Sequence, residues 1–151
     1  MRILIVEDNA FNAFCLTRLL EVMDRQVRVE VVQDSVSALN FLARNRIELV
    51  ILDGCLEACD GLQCNGPVLA SLIWSTNPNQ TIVAWSDSES MRLAFAEVFK
   101  QYNKRFNEQT CWSKVVSAER IRQSVPFLVA QQAENNFFIA PTLASERLSF
   151  S

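Results

Sequence analysis

The chain has 151 residues, half of them hydrophobic and 21% charged, with a formal net charge of −3 at pH 7. That size suits one domain with a full core, and the balance excludes a disordered chain and gives no electrostatic case for direct nucleic-acid binding. No stretch approaches the ~18 apolar residues of a membrane span, and MRILIVEDN reaches acidic residues too early for a secretory signal, so no membrane partner is expected and the cytoplasm is the expected location.

In chain order, the apolar run Ile3–Val6 predicts a strand and ends in the acidic pair Glu7-Asp8. Phe11, Phe14, Cys15, Leu19, Val22 and Met23 then recur at helical spacing. Val29–Val32 predicts a second strand, and Asp34-Ser35 caps a helix carrying Val36, Leu39, Leu42 and Ala43. Leu49–Leu52 predicts the third strand and delivers a lone carboxylate, Asp53, at its end. Val68, Leu69, Leu72 and Ile73 follow Pro67, a residue tolerated in a first helical turn. Ile82–Trp85 leads to Ser86-Asp87 and then to a stripe of Met91, Phe95, Val98, Phe99 and Tyr102. A weaker strand around Thr110–Trp112 precedes Ser113-Lys114, and Ser117 opens a fifth helix through Ile121 and Val125. Pro126 predicts a kink or break there, followed by a second short helix.

Strand alternating with helix five times predicts an α/β fold with a parallel, doubly wound sheet, because parallel strands need crossover helices. The first four runs are nearly all apolar, which predicts strands covered on both faces. Ligands of such sheets sit beyond the carboxyl ends of the strands, where this chain puts Glu7-Asp8, Asp53, Ser86-Asp87 and Ser113-Lys114. Crowded carboxylates repel one another, and a divalent cation relieves the repulsion. Magnesium takes one or two carboxylates and keeps sites for water and phosphate oxygens. Phosphoryl transfer then needs positioning and charge neutralisation, and a carboxylate can itself be the nucleophile. Asp53 is the candidate nucleophile, with Lys114 to counter negative charge and Ser86 to hydrogen-bond a phosphoryl oxygen.

Five cysteines without a CxxC pair, and no histidine at all, leave no recognisable zinc site and no Ser-His-Asp or Cys-His catalysis. Cys55, Cys59 and Cys64 cluster after Asp53, but free thiols are the simpler reading.

At these residues the chain resembles the receiver domain of bacterial two-component response regulators, over roughly residues 1–124. ILIVEDN matches the opening strand and acidic pair, and LVILDGCLEACDG matches the family's Asp-x-x-Met-Pro-x-Met-Asp-Gly segment at Asp53, Asp60 and Gly61, with Leu56 and Cys59 in the Met positions. TIVAWSDS supplies the hydroxyl residue as Ser86, and CWSKVVSAERI the lysine as Lys114. The resemblance implies a flavodoxin-like (βα)5 fold of strand order 2-1-3-4-5, chemotaxis-regulator-like. It also implies a phosphoryl group passed from a histidine kinase or phosphotransfer protein to Asp53. Magnesium (Mg2+) would be held by Asp8, Asp53 and the backbone carbonyl of Cys55, with Glu7 acting through water. Such a protein is a phosphoacceptor that catalyses its own phosphoryl transfer and slow dephosphorylation, rather than a conventional enzyme.

The departures are specific. Val115 replaces the proline after the lysine, and Glu57 replaces the loop proline. Cys111 occupies the usual aromatic position, while Trp112 would point to the opposite sheet face. Asp87 stands where a small residue is usual; it either slows phosphorylation or points to solvent, and the second is favoured.

The remaining segment, 125–151, is read as an extension, helical then irregular, and too short for a DNA-binding output domain. Its Phe137, Phe138, Ile139, Leu143, Leu148 and Phe150 either pack back on the domain or meet a partner; homodimerisation through the fourth and fifth helical segments is the next choice. The leading expectation is a stand-alone response regulator that signals through a downstream protein partner. The alternative is a pseudo-receiver that binds partners without phosphorylation.

Overall fold

A computed structural model of the protein describes residues 1–56 and 65–130. The sheet contains β1 (Arg2–Val6), β2 (Arg28–Val32), β3 (Leu49–Asp53), β4 (Ile82–Trp85) and β5 (Cys111–Trp112), all parallel and ordered β2-β1-β3-β4-β5. Between and after them run α1 (Ala10–Met23), α2 (Ser35–Arg44), α3 (Gly66–Thr76), α4 (Glu89–Gln101) and α5 (118–130). This is the flavodoxin-like order that the resemblance implies. No described helix is long and apolar enough to cross a membrane.

Each helix begins on a short polar residue whose side chain accepts an otherwise orphaned backbone N–H. Asn9 accepts from Asn12, Asp34 from Ser37, Asn65 from Val68, Ser88 from Met91 and Ser117 from Arg120. Pro67 lies in the first turn of α3, where its missing N–H costs nothing. The caps stop each helix at the carboxyl ends of the strands, so the first helical turns rim the crevice.

Strand alternation splits the core into two layers. Leu4, Val6, Val50, Leu52, Ile82 and Ala84 face α2, α3 and α4. Ile3, Ile5, Leu49, Ile51, Val83, Trp85 and Trp112 face the other way, against α1 and α5. Cys111 and Trp112 thus lie on opposite faces of β5, as their alternation predicts. An edge-on stack of Trp74, Phe95, Phe99 and Phe106 fills the layer under α3 and α4.

Two sequence readings need correction, and the inner face of one helix, left open by the sequence, is decided. First, β2 is the edge strand and is not covered on both faces: Arg28, Glu30 and Val31 are exposed. Its β-branched composition marked it as a strand but not its place in the sheet. The helix left open is α1, which buries Ala13, Leu16 and Leu20, leaving Phe11 72%, Phe14 63% and Val22 73% exposed. Apolar residues surround this helix, so periodicity alone could not choose its inner face; Leu19 and Met23, half-buried, form the border. Second, α5 continues through Pro126 to 130. Pro126 and Arg122 are exposed, so the carbonyl that the proline leaves unpaired can be hydrated, while Val125 and Leu128 stay buried in the core. The apolar residues from Phe137 onward lie outside the described residues.

Gly66 fastens α3 to the end of β3. Its N–H donates to Gly54 O at 2.9 Å, and a Cβ there would overlap the Asp53 carbonyl oxygen and come within 2.7 Å of the Phe95 ring. The obstacle is mostly backbone, which cannot rotate away. Gly66→Ala is therefore expected to lower the unfolding free energy by about 3 kcal/mol, read as a lower urea midpoint with an unchanged slope.

Candidate functional site

The crevice is assembled by register. Val6 pairs with Leu52, Asp53 with Trp85 and Trp85 with Trp112, so the polar residues following these strands emerge at one level. Glu7 continues the ladder through its N–H to Val32 O at 3.0 Å. Carboxylate oxygens of Glu7, Asp8 and Asp53 lie within 4.8 Å of one another. Three acids from two strand ends therefore meet, as the sequence suggested.

Lys114 reaches into this group from the loop after β5. Its Nζ lies 2.8 Å from Glu7 Oε1 and 2.9 Å from Asp53 Oδ1, and 3.8 Å from the centroid of the Trp85 ring. Glu7 and Asp53 are buried and Lys114 is mostly so. Removing the ammonium would leave two adjacent buried carboxylates uncompensated, the costly case for buried charge.

One carboxylate oxygen is still unsatisfied: Glu7 Oε2 is buried and accepts no hydrogen bond. Burial is the main force pushing the Glu7 carboxyl above its ordinary range, with its neighbour Asp53 adding to the rise and Lys114 opposing it. A proton on Glu7 would supply the missing donor between the two acids. A hard cation would remove the same deficit, and a cluster of oxygen donors suits magnesium.

The other predicted residues also fall at this end of the sheet. Ser86 is buried, and its Oγ accepts the Ser88 N–H at 3.1 Å. A Cβ on Gly54 would come within 3.1 Å of that Oγ and 2.9 Å of Met91, so glycine lets the first turn of α4 close down beside Asp53. Cys55 follows at an exposed position. Glu57, Cys59, Asp60, Gly61 and Cys64 lie outside the described residues. Cys15, Cys55 and Cys111 are free thiols.

A model of the response regulator receiver domain matches residues 3–100. The chain belongs to that family. No curated protein matches it. Among solved structures, a CheY-like receiver domain protein from Methanospirillum hungatei superposes with a TM-score of 0.73 at 16% identity, over 89% of this chain and 97% of that one. The signal receiver domain of an HD domain-containing protein from Pseudomonas fluorescens gives 0.73 at 19% identity, over 88% and 97%. NtrX from Brucella abortus gives 0.71 at 18%, over 91% of this chain but 29% of the longer one. At these identities the structures support the shared fold alone.

Within this receiver the departures acquire a geometry. Asp87 is exposed, and its Oδ1 accepts the Lys114 backbone N–H at 2.9 Å, which turns its charge toward the lysine loop. Val115 is 86% exposed. Cys111 is half-buried beside Arg92, and burial raises its thiol above the usual range. Sequence reasoning missed the parts played by Trp85 and Gly66. A tryptophan closing the strand before Ser86 was the available signal for one, and the Asn65-Gly66-Pro67 triplet for the other.

The raised Glu7 carboxyl sets a pH dependence. Between the ordinary value of 4.5 and the higher folded value, the folded chain holds more protons than the unfolded one, so this residue's contribution to stability falls as pH rises. In magnesium-free urea unfolding, the native chain is expected to lose stability relative to Glu7→Gln as pH rises across that window, with no further change above it.

Proposed function

We propose that this receiver is a phosphoacceptor, taking a phosphoryl group on Asp53 from the phosphohistidine of a partner kinase or phosphotransfer protein. The observation that carries this reading is the convergence of Lys114 Nζ on Asp53 Oδ1, 2.9 Å away, inside a group of three acids spanning no more than 4.8 Å. A carboxylate oxygen of Asp53 attacks phosphorus; the new O–P bond forms as the P–N bond breaks. The departing electron pair stays on the imidazole nitrogen, which takes a proton from solvent. The 151 residues hold no histidine, so the donor imidazole lies outside them.

Receiver domains bind Mg2+ at an acidic pocket, and Asp8, Asp53 and the Cys55 carbonyl would hold it here, with Glu7 behind them. When bound, such an ion would supply positive charge to the phosphoryl oxygens. Lys114 pairs with the charge that develops on the transferred group, and the Ser86 hydroxyl donates to one of its oxygens. Asp53 phosphate then biases two packings of the last two helical segments, and so the affinity for a downstream protein. The receiver acts in the cytoplasm, and its turnover is limited to its own phosphorylation and slow dephosphorylation.

The exposed apolar face of α1 is the contact surface proposed for the donor. Phe11 lies in the first turn after Glu7-Asp8, and Phe14, Cys15, Arg18 and Val22 line a groove of about 410 Å³ that runs to Ala118 and Arg122 of α5. Such a patch beside a reactive centre marks an interaction site.

A pseudo-receiver that signals by binding alone is the second reading. It is favoured by Cys111 in place of an aromatic residue and by Val115 in place of the proline after the lysine.

Acetyl phosphate with Mg2+ is expected to add one phosphoryl group by intact mass, and Asp53→Asn to abolish the adduct. No adduct under conditions that label another receiver would favour the pseudo-receiver instead. Phe14→Ser with Val22→Ser is expected to slow transfer from a phosphohistidine donor by ~10-fold or more, leaving acetyl phosphate labelling unchanged. Equal slowing of both reactions would remove α1 from the donor contact.

A further inference from the structure

Trp85 is buried to 1% exposure at the end of β4, between Asp53 on β3 and Trp112 on β5 in the sheet register. Burial alone would make it a core residue. Two contacts go further. Its Nε1 donates to Ser113 O at 3.1 Å, and its ring centroid lies 3.8 Å from Lys114 Nζ. One indole therefore holds both the backbone leading into the lysine and the ammonium at the far end of the same side chain. Asp87 Oδ1 fixes the intervening Lys114 N–H at 2.9 Å.

We propose that Trp85 is a positioning residue for Lys114, an aromatic platform that keeps the ammonium beside Asp53 when the carboxylates turn to other partners. This rests on the phosphoacceptor reading above. The need arises because Lys114 is held by the two acids, Glu7 and Asp53, that a divalent ion and an incoming phosphoryl group would engage. Once their charge is taken up, a lysine with a flexible four-carbon stem has little to stop it swinging into solvent. An aromatic face attracts a cation through its quadrupole, best of all when it is tryptophan, and offers no lone pair to a hard metal ion. The attraction therefore survives the change of partners. Trp85 cannot swing away with the lysine, because the strand, the core and the Ser113 carbonyl fix its ring.

The test uses the full chain with Trp85→Phe, which keeps a ring face, and Trp85→Leu, which removes it. The first measurement is the proton shift of the Lys114 ε-methylene group, assigned by its loss in Lys114→Arg. Ring current should move it upfield in the native protein, with Mg2+ as well as without, partly in Trp85→Phe and not at all in Trp85→Leu. The second is the rate of adduct formation from acetyl phosphate and Mg2+, expected to be about two- to thirty-fold slower in Trp85→Leu and closer to native in Trp85→Phe. A native ε-methylene shift at the ordinary lysine position, or one that collapses to it when Mg2+ is added, overturns the proposal. So does equal slowing in both variants, which would reduce Trp85 to packing. Should Trp85→Leu fail to fold, the native shift and its persistence in Mg2+ decide. Those shifts need no phosphorylation, so they separate failure of this proposal from failure of the phosphoacceptor reading.

Discussion

The ion pair of Lys114 with Glu7 and Asp53 is the constraint around which the carboxyl end of the sheet is organised. Two buried carboxylates on adjacent strands repel each other in a medium that screens poorly. One ammonium answers both, at 2.8 and 2.9 Å. It compensates the pair without satisfying it, since Glu7 Oε2 keeps no partner and the Glu7 carboxyl stays raised. The pocket is thus stable enough to form and still deficient in positive charge. That residual deficit is what an ion-dependent phosphoacceptor would use.

The rest of the fold serves this arrangement by bringing backbone close. Parallel register sets Glu7, Asp53, Trp85 and Trp112 at one height, with Ser113 and Lys114 just beyond. Gly54 admits Met91 and Ser86, and Gly66 admits the first turn of α3 against the Asp53 carbonyl. Capping residues stop the helices at the rim rather than over it. The acids owe their closeness to the β1–β3 register, and the two glycines let α3 and α4 pack close beside them.

Much of this was legible in the sequence because the signals were local. Apolar runs ending in Glu7-Asp8, Asp53, Ser86 and Lys114 fixed the strands and pointed their polar ends at one crevice, and the receiver resemblance added the strand order. The inner face of α1 was not legible: Phe11, Phe14 and Val22 look like core, but the helix turns Ala13, Leu16 and Leu20 inward. Contact with the sheet, absent from any single helix's sequence, made that choice. The exposure of β2 was hidden for the same reason, since an edge position belongs to the sheet. Pro126 misled because its cost depends on whether water can reach the carbonyl it orphans. The role of Trp85 depended on where Lys114 ended up, and pairwise geometry of that kind is not written in either residue.

The two borders of the sheet differ in kind yet share an outcome. β2 carries Arg28 and Glu30 outward, and β5 pairs through only two residues, Cys111 and Trp112. A foreign strand seeking to extend the sheet would meet alternating charges on one side and almost no ladder on the other, both of them deterrents to edge-to-edge growth. Neither described edge therefore offers a second chain a long, bare ladder to extend.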